Sequence, residues 1–203
     1  QSELDPSGGM TLASALRNAV RQDSEVLLVS ETRDPETAEA AMQASLTGHL
    51  VFSSLHASDV ASALRRLIQL GVPHYVIRSG VRAIISQRLL RKVCETCRQG
   101  TKARQPQGSE GSVGRSGTAC ESCAGVGYLG RLALAQIVCF DGSDPVGEAL
   151  ADSLEAGASA AQMRAAAAGV GGIDLFRHAQ DAVDRGLTDM DEVYRVLGRS
   201  IST

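Results

Sequence analysis

The sequence predicts an α/β fold built on a parallel sheet, followed by a cysteine-rich element and a helical tail, and three observations carry that expectation. Residues 25–29 and 50–53 are compact β-branched and leucine runs that bracket a segment opening on Asp34-Pro35, the pattern of strand, crossover helix and strand. Cys94 and Cys97 form one CxxC pair and Cys120 and Cys123 a second. From Asp144-Pro145 onward the chain is alanine-rich with apolar residues at helical spacing.

Each element has a local reason. Residues 10–22 place Leu12, Leu16, Ala19 and Val20 on one helical face with Thr11 available as a cap. The run at 25–29 reads as a strand buried on both faces. Asp34 is a good N-cap, Pro35 suits the first helical position and Glu36 complements the helix's positive end, so 35–45 should be helical and stop at Gly48. Residues 50–53 then form a second buried strand. Open parallel sheets bind ligands beyond the carboxyl ends of their strands, which places Glu31, Arg33, Asp34, Ser53, Ser54 and His56 at the functional edge. Ser58 or Asp59 caps a helix through Leu70, closed by Gly71 and Pro73, and the spacing of Val81, Ile84, Ile85 and Leu89 predicts a further helix over 75–93. Residues 100–118 are Gly/Ser-rich with almost nothing to bury, which predicts a mobile loop. In the tail, Asp144, Ser159 and Thr188 are the expected caps, Thr188 with Asp191 approximating a capping box.

Composition narrows the functions available. The 203 residues include 43% hydrophobic but only 3% aromatic residues, with no tryptophan, so stacking platforms for single-stranded nucleic acid are scarce and no nucleic-acid partner is expected. The longest apolar runs, about four residues, fall far short of the ~20 that span a bilayer. The net charge of -3 is unevenly placed: residues 58–104 hold ten basic side chains against Asp59 and Glu95. Such a segment inside an acidic chain suits a phosphate-bearing ligand, an anionic lipid surface or an acidic partner, or it is the solvated face of ordinary helices. The chain opens on Gln1 rather than methionine, which suggests a piece of a longer protein.

The two CxxC pairs are separated by residues 98–119, a spacer of 22. Two such knuckles facing each other offer the tetrahedral sulfur set that Zn²⁺ prefers, so Cys94, Cys97, Cys120 and Cys123 are the expected ligands of a structural metal. Disulfides are the alternative. Cys139 reads as a buried thiol, and His49, His74 and His178 as structural. The string from Cys120 to Gly127 also resembles the zinc repeat of DnaJ-type chaperones, although one repeat is present where that family has several.

A larger resemblance runs through the strings Ser30-Glu-Thr-Arg-Asp34, Gln43-Ala-Ser-Leu-Thr-Gly-His-Leu50, Ser53-Ser-Leu-His-Ala57, Gln87-Arg-Leu-Leu-Arg91-Lys-Val-Cys94 and Gly125-Val-Gly-Tyr-Leu-Gly-Arg131. In that order they resemble the type II secretion and type IV pilus assembly ATPases, from about Met10 to Ile137 and more loosely over 186–197. The resemblance implies a partial RecA-like core over 1–93, a tetracysteine zinc element over 94–135 and a helical subdomain over 136–203. It implies that Glu31 is the Walker B glutamate and His56 the histidine box, with Arg33 and Asp34 beside them in the catalytic set. It further implies a cytoplasmic hexamer, peripheral at the bacterial inner membrane, that works with platform proteins there to assemble pseudopili. Ser30 stands where the family has glycine and Ala57 where it usually has threonine.

One family feature has no counterpart. The chain contains no G-x-x-x-x-G-K-[ST]; its lysines, Lys92 and Lys102, do not follow glycine. That loop cradles the β- and γ-phosphates, so no nucleotide-binding residues are assigned, and ATP with Mg²⁺ is expected only where an upstream half is present. The resemblance thus implies the C-terminal portion of a traffic ATPase, and the alternative is a truncated or degenerate, non-catalytic zinc-binding interaction module. The basic segment suits anionic lipid headgroups or the phosphates of a neighbouring subunit's nucleotide.

Overall fold

The computed structural model describes residues 9–102 and 120–198; most of the loop expected over 100–118 lies outside the described residues. Its elements are α1 (Leu12–Ala19), β1 (Val26–Val29), α2 (Pro35–Leu46), β2 (Leu50–Ser53), α3 (Val60–Gln69), α4 (His74–Gly80), β3 (Ala83–Val93), α5 (Glu95–Lys102), β4 (Tyr128–Cys139), α6 (Pro145–Glu155), α7 (Ala160–Gly169), α8 (Leu175–Asp184) and α9 (Met190–Leu197). They group into two units, each assembled from two stretches of chain: one runs to Ile85 and resumes over Ile137–Gly172, the other comprises Ser86–Gln136 and the residues from Ile173 on.

In the first unit β1 and β2 pair in parallel with Val26 opposite Leu50 and Val29 opposite Ser53. The crossover α2 starts where the sequence places it: Asp34 accepts the Thr37 N–H at 2.8 Å and Pro35 occupies the first turn. Thr11 and Ser14 cap α1 reciprocally. The Asp59 carboxylate caps α3 through the Ser62 N–H. Ala13, Leu16, Leu27, Val29, Ala40, Ala41 and Ala44 close one core layer. A larger one gathers Leu64, Leu67, Ile77, Val138, Leu150, Leu154 and Met163. Burying each of these leucine, isoleucine or methionine side chains contributes roughly 1.5–3 kcal/mol. The strands are not buried on both faces, as expected, but on one: Leu27 and Val29 point inward, whereas Leu28 is 84% exposed and Phe52 53%. Alternation survives inside an apolar run because the pleat still sends successive side chains to opposite faces.

The expected helix over 75–93 is corrected to a short helix and a strand. After α4 ends at Gly80, β3 pairs with β4 in a two-stranded sheet. Phe140 N–H donates to Arg82 O at one end and Cys94 N–H to Gly127 O at the other, so the strands run antiparallel. Buried Ser86 and Leu90 alternate with exposed Ile85 and Leu89, a period of two that the helical spacing obscured. β4 was likewise not anticipated. Gly100 to Lys102, expected in the loop, instead complete α5.

The tail is helical as expected, with Asp144 and Ser159 capping α6 and α7. In α9 the cap is Asp189 rather than Thr188: the Asp189 carboxylate accepts the Glu192 N–H at 2.9 Å, and Thr188 is buried with its hydroxyl donating to Arg91 O. Cys139 is only half-buried. The second unit has its own small core of Leu90, Leu134, Leu175, Ala179 and Val193.

Gly147, in the first turn of α6, lies so close to β4 that a Cβ there would fall on the carbonyl oxygen of Cys139. Backbone cannot yield as a side-chain tip can, so Gly147→Ala should cost about 3 kcal/mol, measured by chemical denaturation. A loss under about 0.5 kcal/mol would show that α6 shifts freely on the strand.

Candidate functional site

Parallel pairing sends the carboxyl ends of β1 and β2 to one edge, and the segments leaving that edge are tied together. Thr32 N–H donates to Ser54 O at 3.0 Å. The Ser54 hydroxyl donates to Ser30 O at 2.6 Å, and the Thr32 and Ser53 hydroxyls share a hydrogen bond of 2.8 Å. These ties bring Glu31, from beyond β1, against His56, from beyond β2: Glu31 Oε1 lies 3.0 Å from His56 Nε2, and Glu31 Oε2 lies 2.5 Å from an Arg33 guanidinium nitrogen. The Glu31 side chain is largely covered, whereas that of His56 is 87% exposed. The Arg33 hydrogen bond is the main influence holding the Glu31 carboxyl below its ordinary range; partial burial opposes it, and the charges of Arg33 and His56 add to the lowering. The result is an ionised carboxylate fixed between a cation and an imidazole, able to accept a proton or orient a water.

Asp34 has a different environment. Its two oxygens accept the Thr37 N–H and the Thr37 hydroxyl, both at 2.8 Å, and those bonds hold its carboxyl below the ordinary range. Asp34 thus fixes the start of α2 two residues after Thr32. The ties through Thr32 had no sequence signal beyond the polarity of the strand ends. Arg66 reaches the same loop, donating to Arg33 O at 3.5 Å.

A second cluster lies in the other unit. The sulfurs of Cys94, Cys97, Cys120 and Cys123 all fall within 4.8 Å of one another, with Cys94 to Cys120 at 4.0 Å and Cys97 to Cys123 at 3.6 Å. These are not disulfide distances. Four sulfurs at about 2.3 Å from a tetrahedral Zn²⁺ would stand about 3.8 Å apart, so the cluster fits the ion. Backbone donors are in place for thiolates: the N–H groups of Cys97 and Thr96 lower Cys94, those of Cys123 and Ser122 help bring Cys120 down to about 7, and Gly127 N–H donates to Cys123 Sγ at 3.3 Å. Cys97, surrounded first by the Cys123 and then the Cys120 sulfur, is pushed up to about 12. A dication at the centre would remove that penalty.

Sequence reasoning missed Glu192. Its fully buried carboxylate accepts from Arg91 N–H at 2.8 Å, from the Arg91 guanidinium at 2.8 and 2.6 Å, and from Arg195 at 2.7 and 2.6 Å. The Arg91 guanidinium stacks 4.1 Å from the Tyr128 ring centre, and Tyr128 donates to Asp189 at 2.7 Å. Burial alone would raise the Glu192 carboxyl; the Arg195 and Arg91 bonds outweigh it and hold the group at about 2 against an ordinary 4.5. A carboxyl depressed on folding stabilises above its unfolded value and loses that contribution as pH falls through the folded one. The second unit should therefore lose about 3 kcal/mol between pH 4.5 and 2, and Glu192→Gln should remove a similar amount at pH 7 while flattening that dependence. An unchanged acid limb in the variant would show that other groups carry it.

The sequence matches the family described as "Type II/IV secretion system protein" over residues 1–195. The chain belongs to that family. The chain is 35% identical over 210 residues to the type IV pilus assembly ATPase PilB of Thermus thermophilus, covering 99% of this chain and 23% of that protein. It is 35% identical to the type II secretion system protein E of Dickeya dadantii, covering 97% of this chain and 39% of the relative, and 33% identical to the type II secretion system ATPase E of Vibrio cholerae, covering 98% and 40%. The chain therefore spans two fifths or less of the length of these relatives. Its fold resembles the Yersinia pseudotuberculosis ATPase DotB, with a TM-score of 0.63 at 22% identity over 93% of this chain and 40% of that one. It also resembles the pilus retraction motor PilT with bound ADP, with a TM-score of 0.62 at 21% identity over 91% and 43%. The α/β fold of the chain is thus shared with these two structures. Among the described residues no helix is long and apolar enough to cross a membrane.

Proposed function

We propose that this chain is the C-terminal portion of a secretion-system traffic ATPase, a partial RecA-like core with a zinc element and helical tail, that couples ATP hydrolysis to pseudopilus assembly and protein export. The observation that carries the reading is the Glu31 carboxylate, held beyond the strand ends between Arg33 and His56. In this reading Glu31 serves as the Walker B glutamate and orients or deprotonates the attacking water. His56, as the histidine box, supports the far carboxylate oxygen and faces solvent, from which a γ-phosphate would approach. Arg33 keeps Glu31 ionised. Asp34 sets the helix start behind the loop, a positioning role in a catalytic strand end. A Mg²⁺ accompanying the nucleotide would take phosphate and water as ligands, with Glu31 as this chain's carboxylate toward it.

Since the 203 residues hold no G-x-x-x-x-G-K-[ST], nucleotide binding is proposed for a polypeptide of the relatives' length. The same oligomeric, membrane-peripheral, cytoplasmic setting is proposed, with inner-membrane platform proteins as partners. Cys94, Cys97, Cys120 and Cys123 would hold Zn²⁺ in a closed, structural site; the ion supplies cross-linking, and no substrate position is left open to it. A second reading is a truncated or degenerate, non-catalytic zinc-binding interaction module, which the four-sulfur cluster favours. Glu31→Gln in the extended polypeptide, with ATP binding and turnover measured separately, distinguishes them.

A further inference from the structure

The four-cysteine cluster and the segment joining α8 to α9 are bonded to each other at several points. Val93 N–H, one residue before Cys94, donates to Leu187 O at 2.9 Å. Arg98, one residue after Cys97, donates to Gly186 O at 3.2 Å. Tyr128, which follows the Gly127 that bonds both Cys94 and Cys123, donates to Asp189. Arg91 completes the set, its carbonyl accepting from Thr188 and its N–H and guanidinium donating to Glu192. Besides the bonds within α8 and α9, residues 186–192 thus share hydrogen bonds with residues 91, 93, 98 and 128, in the segments that flank the four cysteines.

We infer that metal binding at Cys94, Cys97, Cys120 and Cys123 and docking of residues 186–192 are thermodynamically linked, so that the metal orders the α8–α9 pair and the docked segment tightens the metal. The inference rests on the zinc reading and extends it: the ion's work reaches beyond its knuckles to the C-terminal helices. The helices also pack on a small apolar core, in which Leu175, Ala179 and Val193 are buried and Phe176, Val183, Met190, Val196 and Leu197 are partly buried. The bonds from residues 91, 93, 98 and 128 add to that packing the ties that run to the segments carrying the cysteines. Because linkage is reciprocal, weakening the docked segment must weaken metal affinity by the same factor that the metal strengthens docking.

The experiment uses the full 203-residue chain. Zinc content is measured first, then amide hydrogen exchange with and without a chelator, then zinc affinity by competition with a chromophoric chelator. Exchange at residues 187–193 should accelerate at least tenfold on zinc removal, while α2 and α3 change less than twofold. Glu192→Gln should raise the zinc Kd on the order of tenfold, the loss of charge-assisted hydrogen bonds. Tyr128→Phe, which deletes a single hydroxyl, should raise it about threefold and serves if the first variant does not fold. A chain that binds no zinc overturns the zinc reading and the linkage with it. A chain that binds zinc, but whose 187–193 amides exchange at the same rate without it and whose variants keep the parent Kd, overturns the linkage alone.

Discussion

Glu31→Gln, placed in a polypeptide extended to the relatives' length, lowers ATP turnover on the order of a hundredfold to ten-thousandfold and leaves ATP binding within about twofold. The amide keeps the volume of the carboxylate and one oxygen for Arg33 or His56, so the strand end retains its shape. It cannot take a proton from water, and it no longer balances the Arg33 charge that sits 2.5 Å away. A group that acts only as water is deprotonated contributes to turnover and not to binding. Equal losses of binding and turnover would show instead that Glu31 holds the loop together, in which case the Thr32, Ser53 and Ser54 ties would have to be insufficient by themselves. Undiminished turnover would remove Glu31 from the mechanism altogether.

Cys97→Ser combined with Cys123→Ser should abolish metal binding and unfold the second unit. The parent chain is expected to hold about one zinc by elemental analysis, and binding of a structural zinc contributes on the order of 10 kcal/mol. That is comparable with the whole apolar core around Leu90, Leu134, Leu175, Ala179 and Val193 and exceeds the few kcal/mol of the Glu192 cluster. The first unit, with separate layers around Leu64 and Leu27, should keep its helices. Circular dichroism with limited proteolysis reads both effects. A metal-free parent chain that is soluble and disulfide-bonded would defeat the assignment, as would a double variant that melts like the parent.

Much of the site is legible in the sequence because its residues are placed by short-range rules. Asp34-Pro35 starts a helix wherever it stands, the strands on either side are only four residues long, and parallel pairing then delivers Glu31 and His56 to one edge. The CxxC pairs need only their internal spacing to make knuckles. What escaped was set by distant partners. Ile84, Ile85 and Leu89 satisfy helical and strand periodicities alike, and only pairing with β4, some fifty residues later, selects the strand. Val26, Leu28 and Phe52 are exposed in this chain, and the hydrophobicity of a strand does not by itself say what covers its second face. The Glu192 cluster joins residues 91, 128 and 192, and nothing in any one of those segments announces the other two; the nearby Glu192–Arg195 pair, three residues apart, was the only local trace. Thr188 was read as the cap because it begins a plausible box with Asp191, whereas its hydroxyl is drawn to the Arg91 carbonyl on a strand that was expected to be a helix.

The aromatic residues give the second unit a spectroscopic signature of its own. With no tryptophan in the chain, ultraviolet emission comes from three tyrosines and is not drained by energy transfer to indole. Tyr75, on α4, is 70% exposed and should emit much as a free phenol does. The other two report on the unit that carries the cysteines: Tyr128 sits under a guanidinium with its hydroxyl given to a carboxylate, an arrangement that favours quenching, and the Tyr194 ring lies 6.3 Å from that of Phe176. In the intrinsic fluorescence of the unlabelled protein, brightening at constant helix content therefore marks release of the Tyr128 hydroxyl above a steady background from Tyr75.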